Sequence, residues 1–317
     1  MRSGSAETDG DAVWFVSQRP RLRALAYRML GSLADADDIL QDAWLRFAAT
    51  DTRPDRPDGW ITTVTTRLCI DRLKSAHRQR ESYVGPWLPE PVLADDDEAL
   101  DASGDPERQL VLSESLTFGF HTVLQRLSPL ERAVFLLHDV FAMPLAEVAA
   151  VVERSDAATR QLAKRARDHM RADKPRYAPE PEDIEALTDA FFLAALSGDL
   201  IRLELLLHDD CVQINDGGPK YRASRYPVVG RTRVARFMAS LVKKIPAGAE
   251  VHRVRANGQF GYYTTVNGEP FMVIVVMWVD GKIASSHGVR NVDKLRHFHE
   301  AWLRAQARSS ADDTRTS

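Results

Sequence analysis

The stretch SPLERAVFLLHDVFAMPLAEVAAVVERSDAATRQLAKRARDHMR, from Ser128 to Arg171, is a succession of helix starts. Ser128 can cap a helix, Pro129 suits its first position, and Glu131 completes a capping box. Pro144 opens another helix, in which Leu145, Val148, Ala149 and Val152 form an apolar face. After a break at Glu153-Arg154, Ser155 caps a third. There Thr159, Leu162, Ala163, Ala166 and Met170 face inward, opposite a stripe of Arg160, Lys164, Arg167 and Arg171. This spacing predicts a helix-turn-helix, whose last helix enters the major groove of DNA with its N-terminal residues. Ser155, Asp156, Arg160, Gln161 and Lys164 are placed to reach base edges or nearby phosphates, whereas Arg165, Arg167 and Arg171 suit phosphate. The competing reading is a packing motif with a solvated basic face.

The chain has 317 residues, enough for two or three domains, with 44% apolar and 27% charged residues. Its net charge of -3 hides an uneven distribution. Between Leu93 and Glu107 stand Asp95, Asp96, Asp97, Glu98, Asp101, Asp105 and Glu107 without a Lys or Arg, while 154–176 is strongly basic. The only cysteines, Cys69 and Cys211, fall in different expected domains and offer no disulfide framework or zinc spacing. No metal and no cofactor is expected. The N-terminus lacks an apolar signal core, and the longest apolar run, Phe271 to Val279, is too short to span a bilayer. The expectation is a cytoplasmic protein without a membrane segment.

Composition shifts divide the chain. Residues 1 to about 11 read as disordered, 12–82 as a helical domain, and 83–107 as a Pro-rich and then acidic linker. Residues 108–174 form the helix-turn-helix domain; after the joint KPRYAPEPED comes a third domain over 181–305. In the first, Leu40, Ala43, Trp44 and Phe47 recur at helical spacing beside an acidic stripe of Asp35, Asp38 and Asp42. Such a stripe is a solvated face or a contact for a partner. In GWITTVTTRLCIDRLKSAHRQRE, Ile61, Val64 and Leu68 mark the buried side, and Arg67, Lys74 and Arg78 share a face suited to phosphates. An ordinary amphipathic helix reads the same way.

Taken together the two helical parts are specific. YRMLGSLADADDILQDAWLRF with GWITTVTTRLCIDRLKSAHRQRE resembles region 2 of a bacterial sigma factor, and Ser128 to Arg171 resembles region 4. With only a linker between them, the layout is similar to that of the extracytoplasmic-function sigma factors. The resemblance implies that Asp35, Asp38, Gln41, Asp42 and Leu45 grip the β′ clamp of core RNA polymerase. It implies that Trp60, Thr63, Arg67, Lys74 and Arg78 melt and read the −10 element, and that Ser155, Asp156, Arg160, Gln161, Lys164 and Arg165 read the −35 element. Arg67 departs from the family, many members of which carry Asn there. The partners implied are core polymerase, through its β′ and β subunits, and promoter DNA; no covalent chemistry is implied. The acidic linker is expected to thread towards the polymerase active-site channel.

In the third domain, Ile184, Leu187, Phe191 and Ala195 form a helix face, and a Leu-rich helix ends near Leu207. Asn257-Gly258, Asn267-Gly268 and Asp280-Gly281 then separate apolar runs, as in a hairpin meander. Two all-α domains followed by an α+β cone is the fold expected. FFLAALSGDLIRLELLLHDDCVQINDGG resembles the opening of the SnoaL-like branch of the NTF2-like fold. WLPEP at Trp87–Pro91, DGGPK at Asp216–Lys220 and NVDKL at Asn291–Leu295 are similar to segments of sigma factors carrying that extension, with Pro219 and Val292 as departures. The resemblance implies regulation in cis, without a separate anti-sigma factor. The third domain is expected to dock on WLPEP, with Trp87, Leu88, Pro89, Asp216, Gly217, Gly218, Lys220, Asn291, Asp293 and Lys294 as the contacts. A small-molecule ligand in the cone is a further possibility. His208, Asp216, His252 and His287 would serve a cyclase-like enzyme, but they form no motif. A one-component DNA-binding regulator with a ligand domain is the main alternative, and it leaves the region 2 resemblance unexplained.

Overall fold

The computed structural model describes residues 3–80, 83, 85–93, 111–172, 183–221 and 223–316, without the side chains of 3–9, 76–80, 172 and 309–316. The acidic run from Asp95 to Glu107 and most of the joint after Ala172 lie outside the described residues. The described chain divides into two compact units. The first holds the residues up to Arg80, those of 111–116, and Phe120 to Ala172; the second holds those of 83–93, Thr117–Gly119, and 183–316.

The first unit opens with α1 (Ser3–Leu30), α2 (Leu33–Ala48) and α3 (Pro57–Arg80). α1 runs back through residues expected to be disordered; nothing before Pro20 breaks it, since a lone Gly10 only weakens a helix. Gly31 ends it at φ 71°, its N–H 2.6 Å from the Tyr27 carbonyl. Ser32 caps α2 by accepting from the Asp35 N–H at 3.1 Å, and Leu33, Ala36, Ile39, Leu40, Ala43 and Phe47 are its buried face. On α3, Ile61 and Leu68 are buried as expected, but so are Thr62, Thr65 and Thr66. The Thr62 and Thr66 hydroxyls donate to the Asp58 and Thr62 carbonyls at 2.6 and 2.8 Å, which satisfies them inside the core.

Four further helices follow: α4 (Phe118–Leu124), α5 (Pro129–Phe135), α6 (Leu145–Val152) and α7 (Asp156–Ala172), with a π-helical turn over Leu136–Val140. The capping box forms as read. The Glu131 N–H donates to Ser128 Oγ at 3.3 Å, and the Ser128 N–H donates to Glu131 Oε2 at 3.1 Å. Glu153 turns left-handed at φ 53° to end α6, and Ser155 Oγ accepts from the Ala158 N–H at 3.3 Å at the start of α7. Thr159, Leu162, Ala163, Ala166 and Met170 are all buried.

Two buried arginines join the halves of this unit. Arg132 Nη1 donates to the Met29 carbonyl of α1 at 2.8 Å while its Nε donates to the Leu124 carbonyl at 3.0 Å. Arg28, fully buried, donates to Ser115 Oγ at 2.6 Å and to the Leu112 carbonyl at 2.9 Å. Guanidinium groups suit such sites because their rigid fork spreads one charge over several acceptors.

The second unit is a mixed α+β domain: α8 (Ile184–Ser197), α9 (Leu200–Leu206), β1 (Leu207–Asp216), β2 (Val228–Val229), α10 (Arg231–Val242), β3 (Ala249–Ala256), β4 (Gln259–Val266), β5 (Glu269–Val279), β6 (Lys282–Val289) and α11 (Val292–Thr316). The six-stranded sheet has the order β2-β1-β6-β5-β4-β3. The expected hairpins from β3 to β6 are present, and Asn257-Gly258, Asn267-Gly268 and Asp280-Gly281 all have positive φ, as type I′ turns require. The antiparallel expectation fails at one place: β1 pairs with β6 in parallel, from Val212↔Ser285 to Asp216↔Val289. α10 was not anticipated.

Side chains alternate across the sheet. One face packs Met272, Ile274 and Val276 against Phe191 of α8, Leu203 of α9 and Met238 of α10. The other packs Val273, Val275 and Val289 against Leu295 and Phe298 of α11, and also against Leu88 and Leu93 of the Pro-rich segment. The start of the expected linker is therefore part of this domain's core.

Candidate nucleic-acid interface

On α2, Asp38, Gln41, Asp42 and Leu45 are exposed, and Asp35 is half-buried. Leu45 is 56% exposed, next to the apolar face that α2 buries. Arg72 of α3 reaches Asp35 at 2.8 Å and Asp38 at 3.8 Å. The stripe thus has one flank pinned by a cation and the other open.

The expected face of α3 is only partly open. Trp60 is half-buried, edge-on to Phe47 at 5.7 Å, and the Thr63 hydroxyl donates to the Gly59 carbonyl at 2.8 Å. Arg67 is engaged within the unit: its Nε donates to the Val151 carbonyl at 3.0 Å and its Nη2 to the Ala150 carbonyl at 3.2 Å, with Glu153 3.0 Å away. These carbonyls form the C-terminus of α6, where the helix dipole favours a cation. Exposed Lys74 pairs with Asp71 at 3.1 Å. The side chain of Arg78 lies outside the described residues.

On α7, Ser155, Asp156, Arg160, Gln161, Lys164 and Arg165 are all exposed around its first turns. Arg165 is also a structural group, donating from Nε to Glu131 Oε1 at 2.8 Å and so tying α7 to the α5 capping box. Burial raises the Glu131 carboxyl pKa, but hydrogen bonds from Arg165 and Ser128 outweigh that and hold it below its usual value. Arg167 is bound to Asp139 at 2.7 Å. The exposed cations of this face apart from those two are Arg160, Lys164 and Arg171.

In the second unit, the three similar segments converge on one carboxylate. Asp216, at the end of β1, is fully buried. Its Oδ2 accepts from the Leu88 N–H at 2.9 Å and from Lys294 Nζ at 2.7 Å. Its Oδ1 accepts from Tyr83 Oη at 2.6 Å and from the Gly218 N–H at 2.9 Å. Lys294 also donates to the Leu88 carbonyl and stands 3.9 Å from the Trp87 ring centroid, a cation–π contact. Asn291 donates to Tyr83 Oη at 3.1 Å and accepts from the Asp293 N–H at 3.2 Å. Gly218 has φ 59°, and a Cβ there would fall 2.6 Å from the Asn291 side chain; at Gly217 it would meet the Tyr221 carbonyl oxygen at 2.4 Å. Pro89 is buried. Lys220 and Asp293 form an exposed pair at 3.0 Å on the rim. Beyond, the Val92 N–H donates to Asn257 Oδ1 at 2.9 Å and the Asn257 N–H returns to the Val92 carbonyl at 2.8 Å.

Sequence reading missed Tyr83, Arg28 and Arg132. Tyr83 stands four residues before Trp87, and a second aromatic so close to an anchor was a usable signal. The arginines gave none, since their acceptors are distant in the chain. The groups considered for an enzyme do not converge. The His208 ring bonds the Val279 carbonyl at 2.9 Å, His252 packs on Trp302 with centroids 4.6 Å apart, and His287 stacks on Phe118 at 5.7 Å.

Residues 14–79 match the family Sigma-70 region 2, and residues 118–170 match Sigma-70, region 4. The ECF RNA polymerase sigma factor SigJ of Mycobacterium tuberculosis is 38% identical over 291 residues, covering 89% of this chain and 92% of that protein. The chain belongs to the ECF RNA polymerase sigma factors. The crystal structure of SigJ superposes with a TM-score of 0.69 at 34% identity, covering 90% of this chain and 98% of that one. A probable ECF sigma factor of the same organism, SigI, is 35% identical over 188 residues, 58% of this chain and 62% of its own. The sigma factor described here accordingly binds core RNA polymerase and promoter DNA and acts in transcription initiation. Its fold class is the one expected, helical sigma regions with a C-terminal α+β domain. Among the described residues, no helix is long and apolar enough to cross a membrane.

Proposed function

We propose that α2 presents Asp35, Asp38, Gln41, Asp42 and Leu45 to the β′ clamp, that α3 reads the −10 element through Trp60, Thr63, Arg67, Lys74 and Arg78, and that α7 reads the −35 element through Ser155, Asp156, Arg160, Gln161, Lys164 and Arg165. Exposed acids beside Leu45 support the first role. The open N-terminal turns of α7 support the third, because that end of a recognition helix meets base edges. The remaining readings fall in the same scheme: domains over 12–82, 108–174 and 181–305, action in the cytoplasm, and no need for a separate anti-sigma factor.

The observation that carries the regulatory reading is the clasp around Asp216. It holds Tyr83, Leu88 and Lys294 together and so captures the segment leading out of α3. A second observation agrees. Promoter elements centred near −35 and −10 are roughly 85 Å apart along B-DNA at about 3.4 Å per pair. A compact body of about 150 residues has a radius of gyration of only about 15 Å. The first unit must therefore open to read both elements, and opening frees Arg67 from the α6 carbonyls. Release of the Pro-rich segment from the clasp gives the chain length that opening needs.

In vitro transcription with core polymerase tests this. Full-length protein is expected to support weak, promoter-dependent transcription that a clasp variant, Lys294→Ala, increases. Failure of the full-length protein to bind core polymerase would overturn the assignment of α2, and equal transcription by both proteins would overturn the regulatory role of the clasp.

A further inference from the structure

The sheet face opposite the clasp bounds two adjoining cavities. One, of about 270 Å³, is apolar and lies between α8, α10 and the meander, with Leu196, Met238, Val242 and Ile274 in its wall. The other, of about 320 Å³, is lined by Asn215, Phe271, Gly288, Lys244 and Arg290. Leu241, Ile245 and Met272 line both, so the two adjoin across these side chains. Their sizes suit a small amphipathic molecule.

The second cavity holds a buried polar group without a partner. Asn215 is 7% exposed, and its Nδ2 has no hydrogen-bond acceptor among the described residues. Gln213 Nε2 donates to Asn215 Oδ1 at 2.9 Å. A Cβ on Gly288 would fall 2.7 Å from that Oδ1, so the glycine leaves the amide its room. An amide N–H held in a buried wall without an acceptor is costly, and a ligand oxygen removes the cost. The charge of the wall says which oxygen: among the described residues it contains Lys244 and Arg290 and no carboxylate. The Arg290 guanidinium is stacked over Phe271, 4.6 Å from the ring centroid, which places a cation at the junction of polar and apolar surface.

We infer that the C-terminal α+β domain binds a medium-chain amphipathic carboxylate. The carboxylate accepts from Asn215 Nδ2 and lies against Arg290 and Lys244. The chain runs past Leu241, Ile245 and Met272 into the apolar cavity. Neither His208, Asp216, His252 nor His287 lines either cavity, so the site binds without catalytic groups among the histidines considered above. The site also has a route to the clasp. Asn215 and Asp216 are consecutive in β1 and face opposite sides of the sheet, while Arg290 is followed directly by Asn291.

The test is calorimetric titration of the full-length protein with decanoate, decanol and decylamine, each below its aggregation concentration. Decanoate is expected to bind with one-to-one stoichiometry. Decanol should bind about 10- to 100-fold more weakly, as loss of charge-assisted hydrogen bonds implies, and decylamine more weakly still. Asn215→Asp, which keeps the shape and repels the anion, is expected to weaken decanoate by at least about tenfold. Leu196→Trp, at the half-exposed rim, is expected to weaken decanoate and decanol alike. Should Asn215→Asp fail to fold, Arg290→Gln takes its place. No decanoate binding, equal binding of all three compounds, or binding unmoved by both the polar and the rim variant would overturn the inference. Polymerase is absent from the titration, so the outcome is independent of the transcription assays.

Discussion

Lys294 and Asp216 form a 2.7 Å ion pair in which the carboxylate is fully buried and the lysine nearly so. Leu88 is the third member, giving its N–H to the carboxylate and taking the ammonium on its carbonyl. A buried pair contributes little net stability, but removing one partner leaves a charge uncompensated.

Lys294→Ala is therefore expected to destabilise the second unit by about 3 kcal/mol, at the low end for buried pairs because Tyr83 and Gly218 still donate to Asp216. The loss is read as a lower denaturant midpoint, together with faster proteolysis between Tyr83 and Leu93. An unchanged midpoint would show that the pair does not hold the segment.

Arg160→Ala is expected to weaken −35 DNA binding by about 1–3 kcal/mol and to relax base preference at one position, with fold stability within about 0.5 kcal/mol of the parent. Anisotropy titrations on a matched promoter and on single-base variants distinguish this from a phosphate contact, whose loss weakens all sequences alike.

Asp38→Ala removes a carboxylate only 3.8 Å from Arg72 and largely exposed, so the fold should be nearly indifferent. Core polymerase binding should fall by about tenfold or more, measured by competition for core, if the open flank of α2 meets a cationic clamp. Wild-type affinity would remove Asp38 from the interface.

His287 carries a pH signature. Burial lowers its pKa to about 4. The unfolded state takes up a proton near pH 6.5 that the folded state refuses, so stability is full above about 6.5 and falls as pH drops towards 4. The loss reaches about 3 kcal/mol at the lower end. Urea midpoints between pH 7 and 4.5 should show this slope, and His287→Gln should flatten it.

What could be read from the sequence was local. The Ser128–Glu131 box and the Ser155 start of α7 depend on neighbours within a turn, and so do the Asn-Gly and Asp-Gly hairpins. The exposed first turns of α7 followed from periodicity. Long-range pairings were not readable. Arg28 and Arg132 carry no local signal, because their carbonyl acceptors come from segments distant in the chain. The parallel register of β1 on β6 needs a crossover that no turn residue announces. Leu88 read both as part of a Pro-rich linker and as a docking contact in WLPEP; it lies in a core completed by Val273 and Phe298, so the segment belongs to the second unit. The three segments similar to those of relatives were visible, but only the structure shows that Asp216 is where they meet.

The chain separation within the clasp has a consequence for synthesis. Trp87 and Leu88 wait for Lys294, 206 residues beyond Leu88, before the ammonium can reach the Leu88 carbonyl. At about 5–20 residues per second, that interval lasts roughly 10–40 s on the ribosome. α3 precedes Leu88 and α7 emerges within the interval, so both are made before the clasp can close. A chain interrupted before α11 would carry α3 and α7 without Lys294, so the order of translation itself sets when the clasp can form.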